Sequence, residues 1–485
     1  MVSVTHQLAE FAVNLTLDDI PAEVRARAKA LIFDTVGIAL RARHDTQSTR
    51  AMLAALARLE MTQGRAHVIG DSQTYPAAVA ALVNGAGAHS LDFDDTHAAG
   101  SLHSSAPIVP AALAAAELAD ADGAATLAAI IAGYEVQIRL SLALTPAEHY
   151  TRGYHPTATC GAFGATVAAG RLLGLDAAGM EKAFGVALSQ TSGSMQFLHD
   201  GAWTKRSQVG HAAYNGVIAA TLAAEGYHGA GQALDGQWGF LSAYAPNPDP
   251  ARAIAGLRET WQTMGLAVKP YPSCRYSHAA MDALRHLRAA NDVDVDAISA
   301  VEIGLPQTGQ NIIGTPLAQK HAPKTVVDGQ FSMPFLAAVI LRKGDLGWDD
   351  YDQLLSDPET LALTRKVSCV VDPAAEAEFP ANMAGVARVT VGGERLETMV
   401  VVPKGEPDNF LTEAELTGKF EGLTAPYLSA ARRTRLLGSS RARSARRSAR
   451  SGRATVPRSG RRKSRTTPRR MATSPSARAG ASSRT

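Results

Sequence analysis

The sequence predicts a mainly α-helical protein, with a large all-helical domain, a smaller α+β domain and a disordered basic C-terminal tail. Hydrophobic residues make up 46% of the 485 residues but aromatic residues only 6%, and this alanine-rich composition favours close-packed helices over a β-sandwich. Apolar residues recur at helical spacing in the N-terminal region, 1–265. Strand-like alternation is found only later in the chain.

The N-terminal region carries the helical pattern. Asp19 with Pro21 supplies a helix start ahead of the first apolar run. The predicted helices, rich in Ala, Leu and Val and punctuated by Gly or Pro, include 28–39, 76–89, 106–121, 125–144, 157–173 and 208–225. Gly161 and Gly164 follow no strand, so they predict tight helix packing rather than a dinucleotide site. We expect no strand in this helical domain, 1–265.

The pattern changes after about residue 265. The strands predicted by alternation are 300–305, 387–391 and 397–402, and the predicted helices are 277–290, 332–342 and 411–420. Gly392-Gly393 predicts a hairpin turn between the last two strands. We therefore place an α+β domain at 266–403 and expect 404–423 to return to the helical domain.

Residues 424–485 differ from the rest of the chain. They hold 18 of the 48 Lys and Arg residues and none of the 45 Asp and Glu residues, so the remainder of the chain is acidic. This tail is rich in Arg, Ser, Ala and Pro without an apolar period, and we expect it to be disordered. One interpretation is a nucleic-acid-binding arm. The other, which we favour, is an accidental extension from a shifted reading frame.

Cysteine usage and the N-terminus bear on the location of the protein. Cys160, Cys274 and Cys369 are odd in number and far apart, so neither a disulfide framework nor a zinc site is expected. The first residues, MVSVTHQLAEF, lack the pattern of a secretory signal. The sequence has no uninterrupted run of about 18 apolar residues, so we expect no membrane span. We expect a cytoplasmic protein.

The most informative stretch is SLDFDDTH at residues 90–97, followed by His103. Three carboxylates, a hydroxyl and two imidazoles fall within twelve residues, directly after an apolar helical run. Ionisable groups beside a hydrophobic helix are costly to desolvate, so such a cluster is typical of a cleft that uses shifted pKa values. The alternative is a solvated acidic turn between two helices.

Three further segments have a similar character. His155 precedes Pro156, which can begin a helix, so its imidazole is expected beside a helix N-terminus, where an anion binds favourably. Lys205 follows a flexible turn and Lys269 opens a proline-rich segment at the change of domain type, where ligands often bind. A solvated basic pair and a structural hinge are the alternatives. Histidines for proton transfer and cations for carboxylates suit proton abstraction next to a carboxylate.

A resemblance to the MmgE/PrpD family is carried by six segments, which occur in this order: SLDFDDTH, HSSAPIVPAALAAAE, GYEVQIRL, GYHPTATCGAFGATVAAGRLLGL, WTKRSQVGHAAYNGVIAATLAAEGYHG and VKPYPSCRYSHAAMDA. The family includes 2-methylcitrate dehydratase, cis-aconitate decarboxylase and iminodisuccinate epimerase. The resemblance runs from about residue 5 to Leu423. It implies a helical domain, a smaller α+β lid domain, a homodimer, and chemistry without a metal or organic cofactor.

The resemblance also implies the residues of an active site. Those expected to transfer protons or orient the site are His103, His155, Asp92 and Thr96, and those expected to bind substrate are Lys205 and Lys269. The residues themselves, apart from the resemblance, add Arg275 of the proline-rich segment and His97 of the loop as expected substrate-binding residues. Which histidine is the base stays open. Phe335 occupies a position that is often tyrosine in relatives, and the lost hydroxyl counts against decarboxylation of cis-aconitate.

The predicted function is a cofactor-independent lyase of dehydratase type, acting on a small di- or tricarboxylate such as 2-methylcitrate. Decarboxylation of the cis-aconitate type and epimerisation of the iminodisuccinate type are alternatives on the same scaffold. A metal-dependent enzyme is a further alternative, with these ligands for Mg²⁺ or Zn²⁺: Asp92, Asp94, Asp95 and His97. We expect the protein to bind neither a metal nor a membrane. The remaining alternative, from another functional class, is a nucleic-acid-binding protein that binds through the basic tail.

Overall fold

The protein is mainly α-helical with a smaller α+β part, as the sequence predicts. The structure is a computed structural model that describes residues 2–199 and 201–437. Residues up to Arg435 belong to a single folded unit. Within this unit, one hydrophobic cluster is built mostly from helices of the N-terminal region. A second cluster is built from the strands and helices that follow.

The predicted helices of the N-terminal region are present. In the described part of this region the α-helices are α1 (Val4–Asn14), α2 (Ala22–Asp45), α3 (Gln47–Arg58), α4 (Ala77–Ala88), α5 (Ser105–Ala119), α6 (Gly123–Ala143), α7 (Pro146–Thr151), α8 (Pro156–Leu172), α9 (Ala177–Gln190), α10 (Thr204–Ala224), α11 (Phe240–Tyr244) and α12 (Pro250–Ile254). The six predicted ranges correspond to α2, α4, α5, α6, α8 and α10.

Glycines let α6 and α8 approach closely. A Cβ atom on Gly164 of α8 would lie 2.8 Å from the carbonyl oxygen of Gly133 in α6, and a Cβ atom on Gly161 would lie 2.9 Å from Cγ of Pro107 in α5. Both distances are too short for any larger residue without a shift of its neighbour. The prediction that these glycines serve tight helix packing is therefore confirmed, and the packing places the start of α8 beside the start of α5.

The helix α6 is long and apolar enough to cross a membrane, judged by length and composition alone. It is the one helix with this property in the part of the chain that the structure describes. However, 89% of its apolar window is buried inside the protein, where it packs against α5 and α8. Its apolar sequence is explained by its place in the core.

Short strands interrupt the helical region, so the prediction of no strand there is wrong. β1 (Ala66–His67) pairs with β2 (Thr74–Tyr75), and β3 (Thr96–His97) pairs with β4 (Leu266–Ala267). Each strand is two residues long, which is too short to produce an alternating pattern in the sequence. The pairing of β3 with β4 joins two segments that both carry candidate site residues.

A four-stranded sheet forms the centre of the α+β part. Its strands are β5 (Ile298–Leu305), β6 (Val367–Val371), β7 (Gly385–Val391) and β8 (Glu394–Val400), in the order β6-β5-β7-β8. β5 and β6 are parallel, and the other neighbours are antiparallel. Gly392 and Gly393 have positive φ angles of 57° and 89° and connect β7 to β8, which confirms the predicted hairpin. β6 is missed by the alternation criterion because its run VSCVV does not alternate.

Helices pack around this sheet. In chain order they are α13 (His278–Ala290), α14 (Gln307–Gly309), α15 (Leu317–Lys320), α16 (Val326–Gln330), α17 (Met333–Lys343), α18 (Asp350–Leu354), α19 (Pro358–Thr364), α20 (Pro373–Glu378) and, beyond the sheet, α21 (Glu413–Thr424). α13 and α17 contact the sheet and each other, and α21 packs on α2 of the helical part. The domain boundaries at 265 and 403 stay predictions.

The first residues of the basic tail are folded. Residues 430–437 are helical, and the ring of Tyr427 stacks on His44 with 4.1 Å between centroids. The prediction of disorder is therefore wrong for 424–437, because an aromatic side chain still anchors this stretch to α2. The rest of the tail, and with it the nucleic-acid interpretation, lies outside the described residues.

Candidate active site

The candidate site is built around the loop between α4 and α5. α4 ends at Ala88, and the loop carries SLDFDDTH before α5 begins at Ser105. Within the loop, β3 pairs with β4 so that Thr96 lies opposite Ala267. Because Lys269 comes two residues after Ala267, this pairing brings a distant lysine to the loop.

Asp92 binds both candidate lysines. Lys205 Nζ donates to Asp92 Oδ1 at 3.0 Å, while Lys269 Nζ donates to the Asp92 carbonyl oxygen at 2.9 Å and lies 3.2 Å from Oδ2. Burial raises the pKa of Asp92, but the two ammonium groups lower it more, so its pKa is below the ordinary value. Asp92 also has a φ of +52°, a conformation that is uncommon outside glycine and typical of functional loops.

Two imidazoles contact a second carboxylate, that of Asp94, and a third imidazole lies beside one of them. His89 Nδ1 lies 2.6 Å from Asp94 Oδ2, and His103 Nδ1 lies 3.3 Å from the same oxygen. The His89 ring meets the His103 ring edge-on at 4.7 Å between centroids, and its centroid lies 5.8 Å from that of His155. The two predicted histidines therefore both lie next to His89, a residue that no motif indicates.

Burial controls the charge of these groups. It lowers the pKa of His89 to about 4, although Asp94 opposes this shift. It also lowers the pKa of His155 well below its usual range, with His89 and Lys205 adding to the effect. Burial alone would raise the pKa of Asp94, but the nearby His103 and His89 lower it well below the ordinary value. At neutral pH His89 is thus a neutral donor to an ionised Asp94.

The histidines are held by the starts of two helices. His155 directly precedes Pro156, the first residue of α8, and proline favours this helix position because it has no N–H to lose. His103 lies two residues before α5, and its backbone N–H donates to Thr157 Oγ1 at 3.2 Å. The first turn of α8 thus holds one histidine directly and the other through Thr157.

The helix α10 presents two side chains to the site. Lys205 reaches Asp92, and Gln208, three residues later, places Nε2 2.9 Å from His155 Nδ1. Residues three apart lie on the same face of a helix. Gln208 falls inside one of the family-like segments, but its amide gives no chemical signal of its own in the sequence.

Asp95 and Thr96 have different surroundings. Asp95 accepts hydrogen bonds from Ser105 N at 3.2 Å and from Ser105 Oγ at 2.8 Å, and Ser105 Oγ lies 2.7 Å from the Tyr134 hydroxyl. Burial and the charge of Asp94 raise the pKa of Asp95 to about 7. Thr96 Oγ1 is buried and has no hydrogen-bond partner among the described residues. Asp95 therefore holds the start of α5, whereas the role of the Thr96 hydroxyl in orienting the site stays a prediction.

Two distant side chains hold the backbone of the loop. Lys419 of α21 donates to the Phe93 carbonyl oxygen at 2.9 Å and lies 2.7 Å from Asp34 Oδ1, and burial raises the pKa of Asp34 to about 6. Gln330 donates to the Leu91 carbonyl oxygen at 2.7 Å. No sequence signal could have found these contacts, because their acceptors are backbone groups that every residue carries.

His97 and Arg275, predicted to bind substrate, make local structural contacts. The backbone N–H of Gly100 donates to His97 Nδ1 at 2.9 Å, and burial lowers the pKa of His97 to about 4. Arg275 Nε donates to Glu406 Oε1 at 2.7 Å. The structure thus uses these side chains in a turn and in an ion pair, and their role in substrate binding stays a prediction.

Phe335 lies in the core of the α+β part. It is fully buried and stacks on Tyr351 at 6.1 Å between centroids. The Tyr351 hydroxyl donates to the carbonyl oxygen of Pro272 at 2.9 Å, in the segment that also carries Lys269. Phe335 therefore supports this segment through packing.

One group of described residues could hold a metal ion: His89, Asp94 and His103, whose ligand atoms lie within 4.8 Å of one another. It shares only Asp94 with the predicted alternative set. Two imidazoles and a carboxylate are a common donor set for zinc. However, Asp94 Oδ2 and His89 Nδ1 are directed at each other in a 2.6 Å hydrogen bond rather than at a common point, so the residues as arranged do not fit an ion.

Buried polar atoms without a hydrogen-bond partner concentrate in this loop. Among the described residues they include His89 Nε2, Asp94 Oδ1, Thr96 Oγ1 and Ser104 Oγ, while Asp92 Oδ2 and His103 Nδ1 lie only at ion-pair distance from a partner. Such groups are costly in a folded protein and are typical of functional sites. These atoms favour a small polar ligand at the loop. A cavity of about 320 Å³ near Lys205 is lined by Trp203, Thr204 and Arg206, but by none of the candidate site residues.

Similar proteins are known in fungi and in humans. A cis-aconitate decarboxylase-like protein of Aspergillus oryzae is 29% identical over 455 residues, which cover 90% of this chain and 93% of the relative. Cis-aconitate decarboxylase of Aspergillus terreus is 30% identical over 385 residues, 75% of this chain and 78% of the relative. The human cis-aconitate decarboxylase is 27% identical over 384 residues, 76% of this chain and 77% of the relative.

Two family domains match the chain in succession. The MmgE/PrpD N-terminal domain matches residues 6–253, and the MmgE/PrpD C-terminal domain matches residues 271–441. The second match continues past Leu423, so the predicted end of the resemblance is too early. Because the two domains account for most of its length, the chain belongs to the MmgE/PrpD family.

Proposed function

We propose that this protein is a cofactor-independent lyase acting on a small tricarboxylate, with decarboxylation of a cis-aconitate-type substrate as the first candidate reaction. The carrying observation is that two ammonium groups and two imidazoles meet at one loop: Lys205 and Lys269 share Asp92, and His103 and His155 lie next to His89. The similarity to proteins named cis-aconitate decarboxylase supports this reaction.

The lysines favour an anionic substrate. The Lys269 side chain is only 4% exposed and that of Lys205 24%, and charge-assisted hydrogen bonds are strongest where water is excluded. Each ammonium group has three N–H donors, and the contacts with Asp92 use one donor of Lys205 and at most two of Lys269. Two ammonium groups that share one carboxylate favour a carboxylate of the substrate as a further partner.

In decarboxylation, the C–C bond to one carboxylate breaks and CO₂ leaves, while the bonding electron pair stays on the substrate carbon and its conjugated carboxylate. Lys205 and Lys269 would stabilise that negative charge. One proton is then delivered to the carbon, so a carboxylate and a proton are converted into CO₂ and a C–H bond. We assign the delivery of the proton to His103, whose Nδ1 lies 3.3 Å from Asp94 Oδ2, a contact that can orient the ring.

Dehydration of a 2-methylcitrate-type substrate is the second candidate. It needs a base for the proton next to a carboxylate and an acid for the departing hydroxyl. The presence of two imidazoles, His103 and His155, near one another favours this reaction. Epimerisation of the iminodisuccinate type would use the same carbanion and return the proton to the opposite face.

The experiment is incubation of the purified protein with cis-aconitate, 2-methylcitrate and citrate, followed by mass spectrometry. Loss of CO₂ supports decarboxylation, loss of water supports dehydration, and deuterium uptake from heavy water without elimination supports epimerisation. His103→Gln should lower kcat by about 10²- to 10⁴-fold. His211→Gln, at an exposed position of α10, should keep full activity. No turnover of any polycarboxylate, or a fully active His103→Gln variant, overturns the proposal.

A homodimer and a cytoplasmic location belong to the proposal as well. The family resemblance supports the dimer, and the scattered cysteines support a reducing compartment. Light scattering of the purified full-length chain tests the first, and microscopy of the tagged protein in its own cells tests the second.

A further inference from the structure

Gln208 lies between His155 and a neighbouring extended segment. The backbone N–H of His155 donates to the carbonyl oxygen of Gly193 at 3.2 Å, and Tyr154 forms an antiparallel bridge with Ser194. These contacts fix the backbone of Ser194 beside the imidazole. The amide of Gln208 is inserted between the two.

The orientation of the Gln208 amide follows from Ser194. The Ser194 N–H donates to Gln208 Oε1 at 2.9 Å, and Gln208 Nε2 donates to the Ser194 carbonyl oxygen at 3.2 Å. A backbone N–H can only donate and a carbonyl oxygen can only accept, so an amide with its oxygen and nitrogen exchanged would lose both hydrogen bonds. The NH₂ group is therefore the end that faces His155 Nδ1, at 2.9 Å.

This contact determines where the imidazole carries its hydrogen. A neutral imidazole has one N–H, and a nitrogen that accepts a hydrogen bond does not carry it. Since Nδ1 of His155 accepts from Gln208, the hydrogen is on Nε2. An imidazolium would place a second donor against the Gln208 NH₂ group, so the same contact also disfavours protonation, in agreement with the lowered pKa of His155.

We propose that Gln208 is a positioning residue that keeps His155 in its Nε2-protonated tautomer, so that His155 donates a hydrogen bond to the substrate and does not act as a base. This inference rests on the proposed function. His155 Nε2–H would stabilise the negative charge that develops on a substrate carboxylate. Proton transfer then falls to His103, whose Nδ1 faces the carboxylate of Asp94 and not an amide.

The assignment also separates the two candidate reactions. Decarboxylation needs one proton delivered to carbon, which a single imidazole can supply. Dehydration needs a base and an acid, and a His155 held as a neutral donor serves as neither. Gln208 therefore favours decarboxylation over dehydration at this site.

The tautomer can be measured without a substrate. Full-length protein labelled with ¹⁵N-histidine is observed by two-bond ¹H–¹⁵N correlation, and His155 is assigned from the signals missing in His155→Asn. We expect a pyridine-type Nδ1 and a pyrrole-type Nε2 in the parent protein, and the reverse in Gln208→Glu, whose carboxylate accepts from Nδ1–H. A pyrrole-type Nδ1 in the parent, or an unchanged tautomer in Gln208→Glu, overturns the proposal. A protein without lyase activity would still give this result, so the two failures are distinguishable.

Steady-state kinetics tests the consequence for the reaction. Gln208→Glu should lower kcat by about 100-fold with little change in KM, because the lysines that bind the substrate are untouched. Gln208→Met removes the hydrogen bond without imposing the other tautomer and should keep more activity. The control is Asn215→Asp, the same amide-to-carboxylate change on α10, where Asn215 donates to the Gln190 carbonyl oxygen at 2.9 Å. The Asn215→Asp variant should have the kcat of the parent protein. A parental kcat in Gln208→Glu, or an effect on KM alone, overturns the proposal.

Discussion

Nζ of Lys205 lies 3.0 Å from Oδ1 of Asp92, although 113 residues separate them in the chain. Asp92 also holds Lys269, so one carboxylate at a strained loop position fixes the ammonium groups of two other segments. A substrate carboxylate that approaches these lysines meets charges that are already oriented. The position of both lysines therefore depends on Asp92.

Asp92→Asn should destabilise the fold and impair turnover together. The substitution leaves two mostly buried ammonium groups without their shared counter-ion, and breaking a buried ion pair in this way costs about 3–5 kcal/mol. We expect the free energy of unfolding in urea to fall by about 3 kcal/mol and kcat/KM to fall with it. Asp352→Asn, at an exposed position of α18, should change neither. Unfolding of Asp92→Asn at the parental urea concentration would show that the lysines do not depend on Asp92.

Asp95 should make the stability of the fold depend on pH. Burial and Asp94 raise its pKa to about 7 in the folded protein, while the unfolded chain has a pKa of about 3.9. A carboxyl group with a raised pKa in the folded state contributes stability that is fully present below pH 4 and is lost as the pH rises through 7. Asparagine is neutral at every pH in this range, as protonated Asp95 is, so Asp95→Asn should keep this stability as the pH rises.

The measurement is urea unfolding of Asp95→Asn and of the parent protein between pH 4 and pH 8. The parent protein should lose stability relative to Asp95→Asn as the pH rises. Their difference in unfolding free energy should change by up to about 4 kcal/mol for a shift of three pKa units. Asp352→Asn serves as the control, with a difference that does not change with pH. A flat profile for Asp95→Asn would mean that Asp95 stays ionised throughout this range.

Features with a local signal could be predicted from the sequence. The hairpin at Gly392-Gly393 has a turn signature of two residues, and α4 and α10 have long apolar runs bounded by turn residues. Asp92, Lys205 and His103 attract notice because of their residue types, and the structure brings them to one loop. In each case the information lies within one short segment of the chain.

The remaining parts of the site depend on pairings between segments. β3 and β4 have two residues each, so their pairing leaves no pattern, yet it carries Lys269 to Asp92. Gln208 is an ordinary amide until the bridge of Tyr154 with Ser194 sets its orientation. Lys419 binds a backbone oxygen 326 residues away. Such contacts depend on the tertiary structure, so they leave no local pattern in a single sequence.

Removal of metal ions should leave the activity unchanged. Asp94 Oδ2 binds His89 Nδ1 at 2.6 Å, so this carboxylate is already used by an imidazole in the protein. Turnover is measured before and after dialysis against EDTA, and again after addition of Zn²⁺. We expect added Zn²⁺ not to raise turnover, because Asp94 Oδ2 and His89 Nδ1 are directed at each other and not at a common ion. Activity that is lost on dialysis and restored by a divalent cation would make the enzyme metal-dependent.

Tyr427→Ala should destabilise the protein although the residue lies in the basic tail. Its ring stacks on His44 at 4.1 Å, the guanidinium carbon of Arg41 lies 5.7 Å from the ring centroid, and its hydroxyl donates to Asp45. Loss of such contacts costs about 1–2 kcal/mol, measured by urea unfolding. Tyr227→Ala, at a 59% exposed tyrosine, is the matched control and should be nearly neutral. Equal stability of the two variants would mean that the contacts of Tyr427 do not stabilise the fold. A specific loss in Tyr427→Ala would place any accidental extension beyond this residue, in accord with a family match that continues to residue 441.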